Sequence, residues 1–588
     1  MGAAVVCVAE ENTKCRDGSP GGALSGAGAR ADVRRPASPR CLASATPRGS
    51  LQSLFVAFPF VALLSSGCMV GPDYVRPDAP LSRGWIDEAN PRVDEAAEPT
   101  TEWWRCLDDP SLDRIVDLAY AQNLSLQAAA LRVIEAQALR GIAIGNFFPQ
   151  SQKIDGSYTR THSSENGPLQ GEDFNSYDAR FDAAWELDVW GKFRRGIEAA
   201  DEALLASVAS YDDVLVSLIA EVAATYLRIR VLEEQLELAH GNASIQLDSL
   251  EVVTARFEAG GTSDLDVQQA TTLLEDTEAD IPGFEIDLRQ AKNTLSVLLG
   301  MPPSELEDLL GRSLGIPEPP PNVLVAIPSE LLRRRPDIRR DERLLAAQSA
   351  RIGIAKSELF PRISLQGSVG LNAEQAAQFF QGRSFEAIGG PRFDWPVLNY
   401  GRLINAVRAE DARFQAQVAT WQNTVLIAQR EVENAIVGYL LGLERVTRLE
   451  RSVAAANRAV DISLIQYRGG ATDYTSVLTA QQQKIFEDRR LTASRGEVTL
   501  SVIALYKALG GGWEMRAGAP AVPAATREEM RGRTWWGDMI EPGDEQLDIE
   551  AAHEDPGVMP ESDDRGPLEA SEPGGSGERE WFWWWPEW

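Results

Sequence analysis

Five cysteines and three histidines in 588 residues leave few side chains for metal or nucleophile chemistry. Zinc sites and Cys/His or Ser/His dyads need such residues in clusters. His162 and His240 stand alone, on an expected strand end and an expected helix, and read as surface residues rather than ligands. No constellation supports an enzyme, a metal centre or a bound cofactor. Cys68 is the one cysteine in a chemical context. Arg34, Arg35, Arg40 and Arg48 precede an apolar run, Leu54 to Leu64, then come Ser65, Ser66 and Gly67, and then the thiol. A basic stretch, an apolar core and small residues make the anatomy of an export signal. The run resembles a bacterial lipobox, with Ser65 where leucine is usual, in which the thiol is acylated and begins the mature chain. A covalent lipid on Cys68 is then the only attached group expected. A reactive or disulfide-bonded cysteine is the competing reading.

An eleven-residue run is too short to cross a hydrocarbon core of about 30 Å as a helix, so a membrane anchor or a buried core helix is the weaker account. Met69, not aspartate, follows the cysteine, which for a lipobox implies sorting to the outer membrane. Once the leader is removed, Cys106 is the sole thiol, and no intrachain disulfide can form. Residues 1–50 exceed a signal n-region, which puts the expected translation start further downstream. The net charge of -30, from 87 acidic and 57 basic residues, argues against nucleic acid as a partner. A hydrophobic fraction of 44% requires that the bulk of the chain fold.

The elements that position these residues occur twice. Gly141, Ile142, Ala143, Phe148 and Pro149 recur 212 residues later as Gly353, Ile354, Ala355, Phe360 and Pro361. Further along, Gly191 matches Gly401, Phe257 and Gly260 match Tyr467 and Gly470, and Val267 matches Val477, all at a shift of 210. A loop between the prolines and the glycines is expected to absorb the two-residue difference. After Gly191, the residues Leu204, Val208, Tyr211, Leu215, Leu218, Val222, Ile229, Leu232 and Leu236 fall at coiled-coil steps. Phe414, Val418, Trp421, Val425, Ala428, Val432, Ala435 and Tyr439 do so in the second copy. A continuous helix from Gly191 to Ala259 would be roughly 100 Å long. Pro282 is expected to kink the helix returning toward Leu299.

Ahead of each long helix the period changes to two. From Tyr177 to Val189, apolar Tyr177, Ala179, Phe181, Ala183, Trp185, Leu187 and Val189 alternate with a mostly charged set. Ile363 to Leu371 alternates likewise. Phe385, Phe393, Trp395 and Val397 mark an irregular strand, and Lys153 to Thr161 supplies the first of the four. A soluble sheet could carry this pattern under a helix layer, but the helices are committed to coiled-coil packing. In a membrane barrel the apolar face meets lipid and the charged face a water-filled lumen. Four strands cannot close, because even a small barrel needs about eight and open edges in lipid leave backbone groups unpaired. Several chains must therefore share one barrel, and three copies give twelve strands.

CMVGPDYVRPDAP from Cys68, EWWRCLDDPSLDRIVDLAYAQNLSL from Glu102, RRRPDIRRDERLLAAQSARIGIAKSELFPRISL from Arg333, GGPRFDWPVLNYGR from Gly389 and YKALGGGW from Tyr506 stand in an ordered series across residues 68–513. In them the chain resembles the TolC family of outer-membrane efflux channels, in particular the NodT-like lipoproteins that serve resistance-nodulation-division (RND) exporters. The resemblance implies an α+β fold with two internal repeats: a long antiparallel α-helical barrel in the periplasm joined to a transmembrane β-barrel built by a homotrimer, four strands per chain. It implies a passive conduit, without catalysis, for drugs, other small toxic compounds or metal ions. An inner-membrane RND pump would deliver these through a periplasmic adaptor, or membrane fusion, protein. Loops near Ser163 to Asn175 and Asn372 to Arg383 would face outside. The lumen narrows where the helix pairs turn, in segments matching Phe257 to Gln268 and Tyr467 to Thr479. Some relatives link an acid on the first turn to a tyrosine on the second, which match Asp266 and Tyr467; alternatively Tyr467 packs as a helix-end aromatic. Acidic rings of relatives match Ser476 and Thr479 here, so Asp473, itself also readable as a solvated turn residue, is the nearest acidic substitute. Gly260 and Gly470 serve backbone geometry at the turns.

The expected order is a leader with signal peptide (1–67), an acylated extended segment (68–110), a first efflux repeat (111–300), a linker (301–332), a second repeat (333–513) and a disordered acidic tail (514–588) ending in WFWWWPEW. The tail is either dispensable or seeks a membrane interface or a partner groove through its tryptophans. Two rival functions stay open: the exit duct of a type I protein secretion system, and a periplasmic coiled-coil lipoprotein without a pore.

Overall fold

The computed structural model describes residues 69–95, 101–166, 171, 173–313, 315–516, 522 and 524–533. The apolar run before Cys68, Cys68 itself and the tryptophan-ended terminus lie outside the described residues. The elements in chain order are β1 (Val93–Glu95), α1 (Pro110–Gln122), α2 (Leu124–Gly145), β2 (Ser151–His162), β3 (Asp173–Glu186), α3 (Lys192–Glu258) and α4 (Asp264–Leu298). After them come β4 (Val323–Val325), α5 (Pro336–Ser357), β5 (Arg362–Ala373), β6 (Phe385–Asp394), α6 (Arg402–Arg468), α7 (Tyr474–Ala508) and α8 (Ala524–Arg533).

The two repeats have matching lengths: α3 and α6 are 67 residues each, α4 and α7 are 35. At about 1.5 Å per residue the long helices reach roughly 100 Å. α2 and α4 pack end after end along α3, and α5 and α7 along α6, while α3 also meets α5 and α7. The coiled-coil positions supply this packing, with Val208, Tyr211, Leu215, Leu218, Val222, Ile229 and Leu232 on α3 and Trp421, Val425, Ala428, Val432, Ala435 and Tyr439 on α6 all buried. One window of α3 is apolar enough for a membrane helix, but more than half of it is buried in this packing. Pro282 does not interrupt α4, which runs as one helix from Asp264 to Leu298.

β2, β3, β5 and β6 form one antiparallel sheet in that order. The registers put Ile154, Tyr158, Tyr177, Phe181, Trp185, Leu365, Val369, Phe385 and Phe393 on one face, and Lys153, Asp155, Asp178, Arg180, Asp182, Glu386 and Arg392 on the other. Element ends differ from the sequence expectation in several places. The strand expected at Tyr177 to Val189 starts at Asp173 and stops at Glu186, and Asn372 and Ala373 are strand rather than loop. The extension is cross-strand pairing, ending with His162 Nδ1 at 2.6 Å from Asp173 Oδ1. The early stop has a different cause. The Asp188 carboxylate accepts the backbone N–H groups of Phe193 and Arg194, each at 3.0 Å, so it caps α3 instead of extending β3. The last strand stops at Asp394, short of Val397.

The repeat offset is also not confined to a loop. Ser151 pairs with Ala184 as Arg362 pairs with Asp394, so the shift in the first strand is already 211. The extra residue is Gln150, whose side chain bonds both the N–H and the C=O of Glu186, at 2.7 and 3.2 Å. Part of the stretch expected to be disordered is ordered. A 3-10 turn spans Trp513–Arg516, and α8 follows. Arg516 is buried there because its guanidinium meets Asp212 at 2.9 Å.

At mid-height of the long helices, Trp103 and Trp104 are each 1% exposed, and Trp103 stacks on Tyr506 at 5.6 Å. Trp85 donates from Nε1 to Ala326 O at 2.8 Å, and β1 pairs in parallel with β4. The N-terminal segment is thereby fixed to the linker and to the second repeat.

Candidate functional site

Two helix turns at the end opposite the sheet form the candidate site. α3 ends at Glu258 and α4 begins at Asp264; α6 ends at Arg468 and α7 begins at Tyr474. Gly260 at φ +69° and Gly470 at φ +72° take the left-handed conformation that reverses each chain, a region costly for residues with a Cβ. Gly261 donates to Arg256 O and Ala471 to Gln466 O, at 2.7 and 2.9 Å, so the two turns share one design.

The polar residues of the turns are exchanged between the repeats. In the second turn Asp473 caps α7, accepting from Ser476 Oγ at 3.1 Å, and Thr472 Oγ1 lies 2.8 Å from Ser476 Oγ. In the first, Ser263 takes the cap position and the acid moves to Asp266, which Thr262 grips through its hydroxyl. Asp473, Ser476 and Thr479 are exposed, and Asp266 is half-buried. Thr479 Oγ1 bonds Thr475 O at 2.8 Å.

Tyr467 is 2% exposed, with its ring against Tyr474 at 5.5 Å and Val253, Ala270 and Val477 around it. Burial, with Tyr467 and Asp266 near, pushes the Tyr474 hydroxyl up to about 12. Among the described residues the Tyr467 hydroxyl has no hydrogen-bond partner, so within one chain the structure does not join it to Asp266. The helix pairs are tied instead by Arg256. Its guanidinium lies 4.5 Å from the centre of the Tyr467 ring and donates to the Tyr467 carbonyl. Sequence reasoning missed Arg256 and Tyr474. The available signal was Arg256 itself, a cation one turn before Gly260 where the other repeat has Gln466.

Above this apolar knot, the α3–α7 seam is polar and buried. Gln481 Nε2 donates to Ser249 Oγ at 2.7 Å, and Lys484 Nζ to Asn242 Oδ1 at 2.7 Å and to Asp488 Oδ2 at 2.6 Å. Gln246 is 2% exposed, and neither its amide nitrogen nor its amide oxygen has a partner among the described residues. Such a seam adheres less strongly than an apolar one, because each buried unpaired group costs about 1–3 kcal/mol.

The N-terminal segment marks the other end of the long helices. Val70 N–H donates to Trp190 O at 3.0 Å, Gly191 (φ +79°) packs on Met69, and Gly71 lies against Gly353 with no room for a side chain on either. Arg195, 1% exposed, meets Asp73 at 2.7 Å and Glu198 at 2.7 Å. The residue after Cys68 is thus held where strand β3 passes into α3.

A sheet with one apolar and one charged face, carried on helices of this length, defines a membrane channel with a long helical extension. The comparisons agree. The family model "Outer membrane efflux protein" matches residues 115–301 and 327–511. Nodulation protein T of Rhizobium leguminosarum bv. trifolii is 30% identical over 461 residues, 77% of this chain and 97% of the relative. The pyoverdine export outer membrane protein OpmQ of Pseudomonas putida is 31% identical over 440 residues, 73% and 92% of the two chains. Among solved structures, the outer-membrane channel OprN superposes with a TM-score of 0.72 at 32% identity, over 76% of this chain and all of that one. The chain belongs to the outer membrane efflux protein family. It is a TolC-like efflux channel of the outer membrane that extends into the periplasm.

Proposed function

We propose that three copies of this chain form a passive, non-enzymatic exit duct. It would carry drugs, other small toxic compounds or metal ions from a periplasmic adaptor and an inner-membrane RND pump to the exterior. The observation that carries the reading is the pair of flanks left bare by one chain. β2 and β6 are open sheet edges, and backbone groups at such edges cannot stay unpaired in lipid. Apolar side chains continue both edges downward: Leu139, Ile142 and Ile286 on α2 and α4, and Ile404, Leu426, Leu441 and Ile465 on α6 are exposed. Flanks of different composition suit a head-to-tail ring that closes on itself.

Cargo class follows from the relatives, whose names include a toluene efflux pump outer membrane protein and a pyoverdine export outer membrane protein. Cys68 carries the lipid in this reading. What supports this is the position of Met69, held against Gly191 where β3 meets α3, at the sheet end of the long helices; in this reading that end borders the inner surface of the outer membrane. The gate lies at the tip turns, with Asp266, Tyr467, Asp473, Ser476 and Thr479 grouped there. The test is purification of the processed chain in detergent, its mass, and its conductance in planar bilayers. Trimers that conduct are expected. Monomers without ion flux would reject the duct, and unchanged fatty-acid labelling of Cys68→Ala would reject the anchor.

A further inference from the structure

The N-terminal segment covers one face of α5 and α6 and leaves the opposite face open. Arg76 Nε donates to Glu342 Oε1 at 2.6 Å and Gly71 lies against Gly353, so the covered face of α5 carries Glu342 and Gly353, about three turns apart. On α6 the covered face carries Gln422, which donates to Asp78 O at 3.1 Å, and Gln429, which donates to Pro80 O at 2.8 Å. Arg351 follows Glu342 by nine residues, and Arg413 precedes Gln422 by nine. Nine residues make two and a half turns, so both arginines stand on the open face. In the duct reading the N-terminal segment leads from a lipid-bearing Cys68 and lies outside, and the open face lines the lumen.

A groove of about 600 Å³ lies there between the two helices, lined by Gln348, Arg351, Glu410, Arg413, Ala416 and Gln417. Sites for small ligands have volumes of about 300–1,000 Å³. A buried amide fixes its polar groups. Gln348, 2% exposed, donates from Nε2 to Glu410 Oε2 at 2.7 Å and to Glu410 O at 3.2 Å, and its Oε1 accepts from Arg351 Nη1 at 3.2 Å. Arg413 Nη1 donates to the other oxygen of Glu410. Two arginines against one glutamate leave the groove positive, in a chain whose net charge is -30. The other arginines of α5 meet acids: Arg339 meets Asp212 at 3.7 Å, Arg340 meets Asp213 at 2.9 Å and Arg343 meets Glu202 at 3.3 Å. Arg351 is exposed and, among the described residues, has a neutral amide as its partner and no carboxylate. Gln417 Oε1 is buried without a partner among the described residues, a polar atom left for a ligand or water to satisfy.

We propose that this groove is a binding site for small organic acids, with Arg351 and Arg413 holding the carboxylate. The proposal rests on the duct reading and adds a cargo class to it. Two guanidinium forks on facing helices suit a carboxylate, which accepts paired N–H donors in one plane. Glu410 does not compete for the ligand's place, because Gln348 and Arg413 already occupy its two oxygens. Gln417 Oε1 accepts an O–H or N–H of the ligand, and Ala416 offers the apolar part a wall. An acidic chain repels anions at long range, so an anion entering its lumen dwells where the sign is locally reversed. The groove is open to water, which keeps the binding weak enough for release.

The test is equilibrium dialysis of radiolabelled benzoate against the purified, processed full chain in detergent at low salt, beside native mass and bilayer conductance. Benzoate should bind saturably, and benzamide, which has the same shape without the charge, should not displace it. Arg351→Gln and Arg413→Gln should each weaken binding about tenfold, as when one charged hydrogen bond is lost. Arg351→Lys should weaken it less, because it keeps the charge and loses the fork. Arg408→Gln removes an exposed cation on the side of α6 that carries Gln422, and should leave binding unchanged. Displacement by benzamide as strong as by unlabelled benzoate, binding that survives both glutamine variants, or an equal loss from Arg408→Gln would overturn the site. If a glutamine variant does not assemble, the benzamide comparison decides alone. Conducting trimers that bind no benzoate overturn the groove and spare the duct. Monomers without ion flux overturn the duct, and with it the cargo role of the groove, whether or not benzoate binds.

Discussion

Arg256→Ala at the tip should open the pore, and Tyr467→Phe should not. Arg256 holds Tyr467 in two ways, through the ring face and through the backbone carbonyl. A cation over an aromatic ring is worth about 0.5–2 kcal/mol, and a charged donor to a carbonyl about 1.5–3 kcal/mol. Arg256 keeps partial access to water, so about 2 kcal/mol per chain is a fair joint figure, roughly a 30-fold change in the tip equilibrium of each chain. Arg256→Lys should fall between, because it keeps the charge and loses the planar fork. Removing the unpartnered Tyr467 hydroxyl costs nothing or gains up to about 1 kcal/mol. The assay is single-channel conductance of purified trimers, with thermal unfolding as a check on folding. If Tyr467→Phe raised conductance as much as Arg256→Ala, the hydroxyl would have a working partner. The Asp266 link would then be operating between subunits, and Arg256 would not be the principal tie.

Two further outcomes follow from buried polar groups. Gln246→Leu replaces an amide with no partner by an apolar group of similar size, so the α3–α7 seam should tighten. Thermal unfolding should move up by an amount corresponding to about 1–2 kcal/mol, and conductance should fall; a lower unfolding temperature would show that the amide is satisfied in the assembly. Asp212 is fully buried, and burial, outweighing Arg516 and Arg339, pushes its carboxyl up to about 7. The folded state then holds this proton more tightly than the unfolded one, so this group's contribution to stability falls as pH rises from about 4 to 7 and levels above. Asp212→Asn should flatten the unfolding temperature between pH 5 and 7, and an unchanged slope would mean that the carboxylate is ionised throughout.

The period-two and coiled-coil patterns reveal the sheet and the long helices because each reports one face of an element against one environment. Trp421, Val425 and Val432 sit at buried seam positions for the reason their spacing indicates. Boundaries are less legible, since Asp188 looks like one more charged residue in an alternating strand until the α3 N-terminus arrives to use it as a cap. The N-terminal clamp is illegible for a similar reason. Gly71 and Gly353 lie far apart in the chain, and only the folded clamp explains why neither can carry a side chain: a Cβ on Gly71 would meet the Gly353 backbone, and one on Gly353 would meet Val70 O and the Arg195 side chain. The resemblance to relatives led to the tip turns, Asp266 and Tyr467, but not to Arg256, whose role depends on a ring contributed by the other repeat.

The repeats are near copies where they build walls and differ where they build the tip. Phe257 is 42% exposed, whereas its counterpart Tyr467 is 2% exposed. Arg256 stands opposite Gln466, and the turn acid moves from Asp473 at the cap position to Asp266 three residues further along. Two identical hairpins would offer each other the same surface and could not form a one-sided grip. By giving the cation to one turn and the buried ring to the other, the chain makes a clasp within each subunit and places it below a polar, weakly adhering seam. If the proposed duct opens by moving one hairpin against the other, the clasp must break first, and the barrier to opening then lies at the tip rather than along the length of the helices.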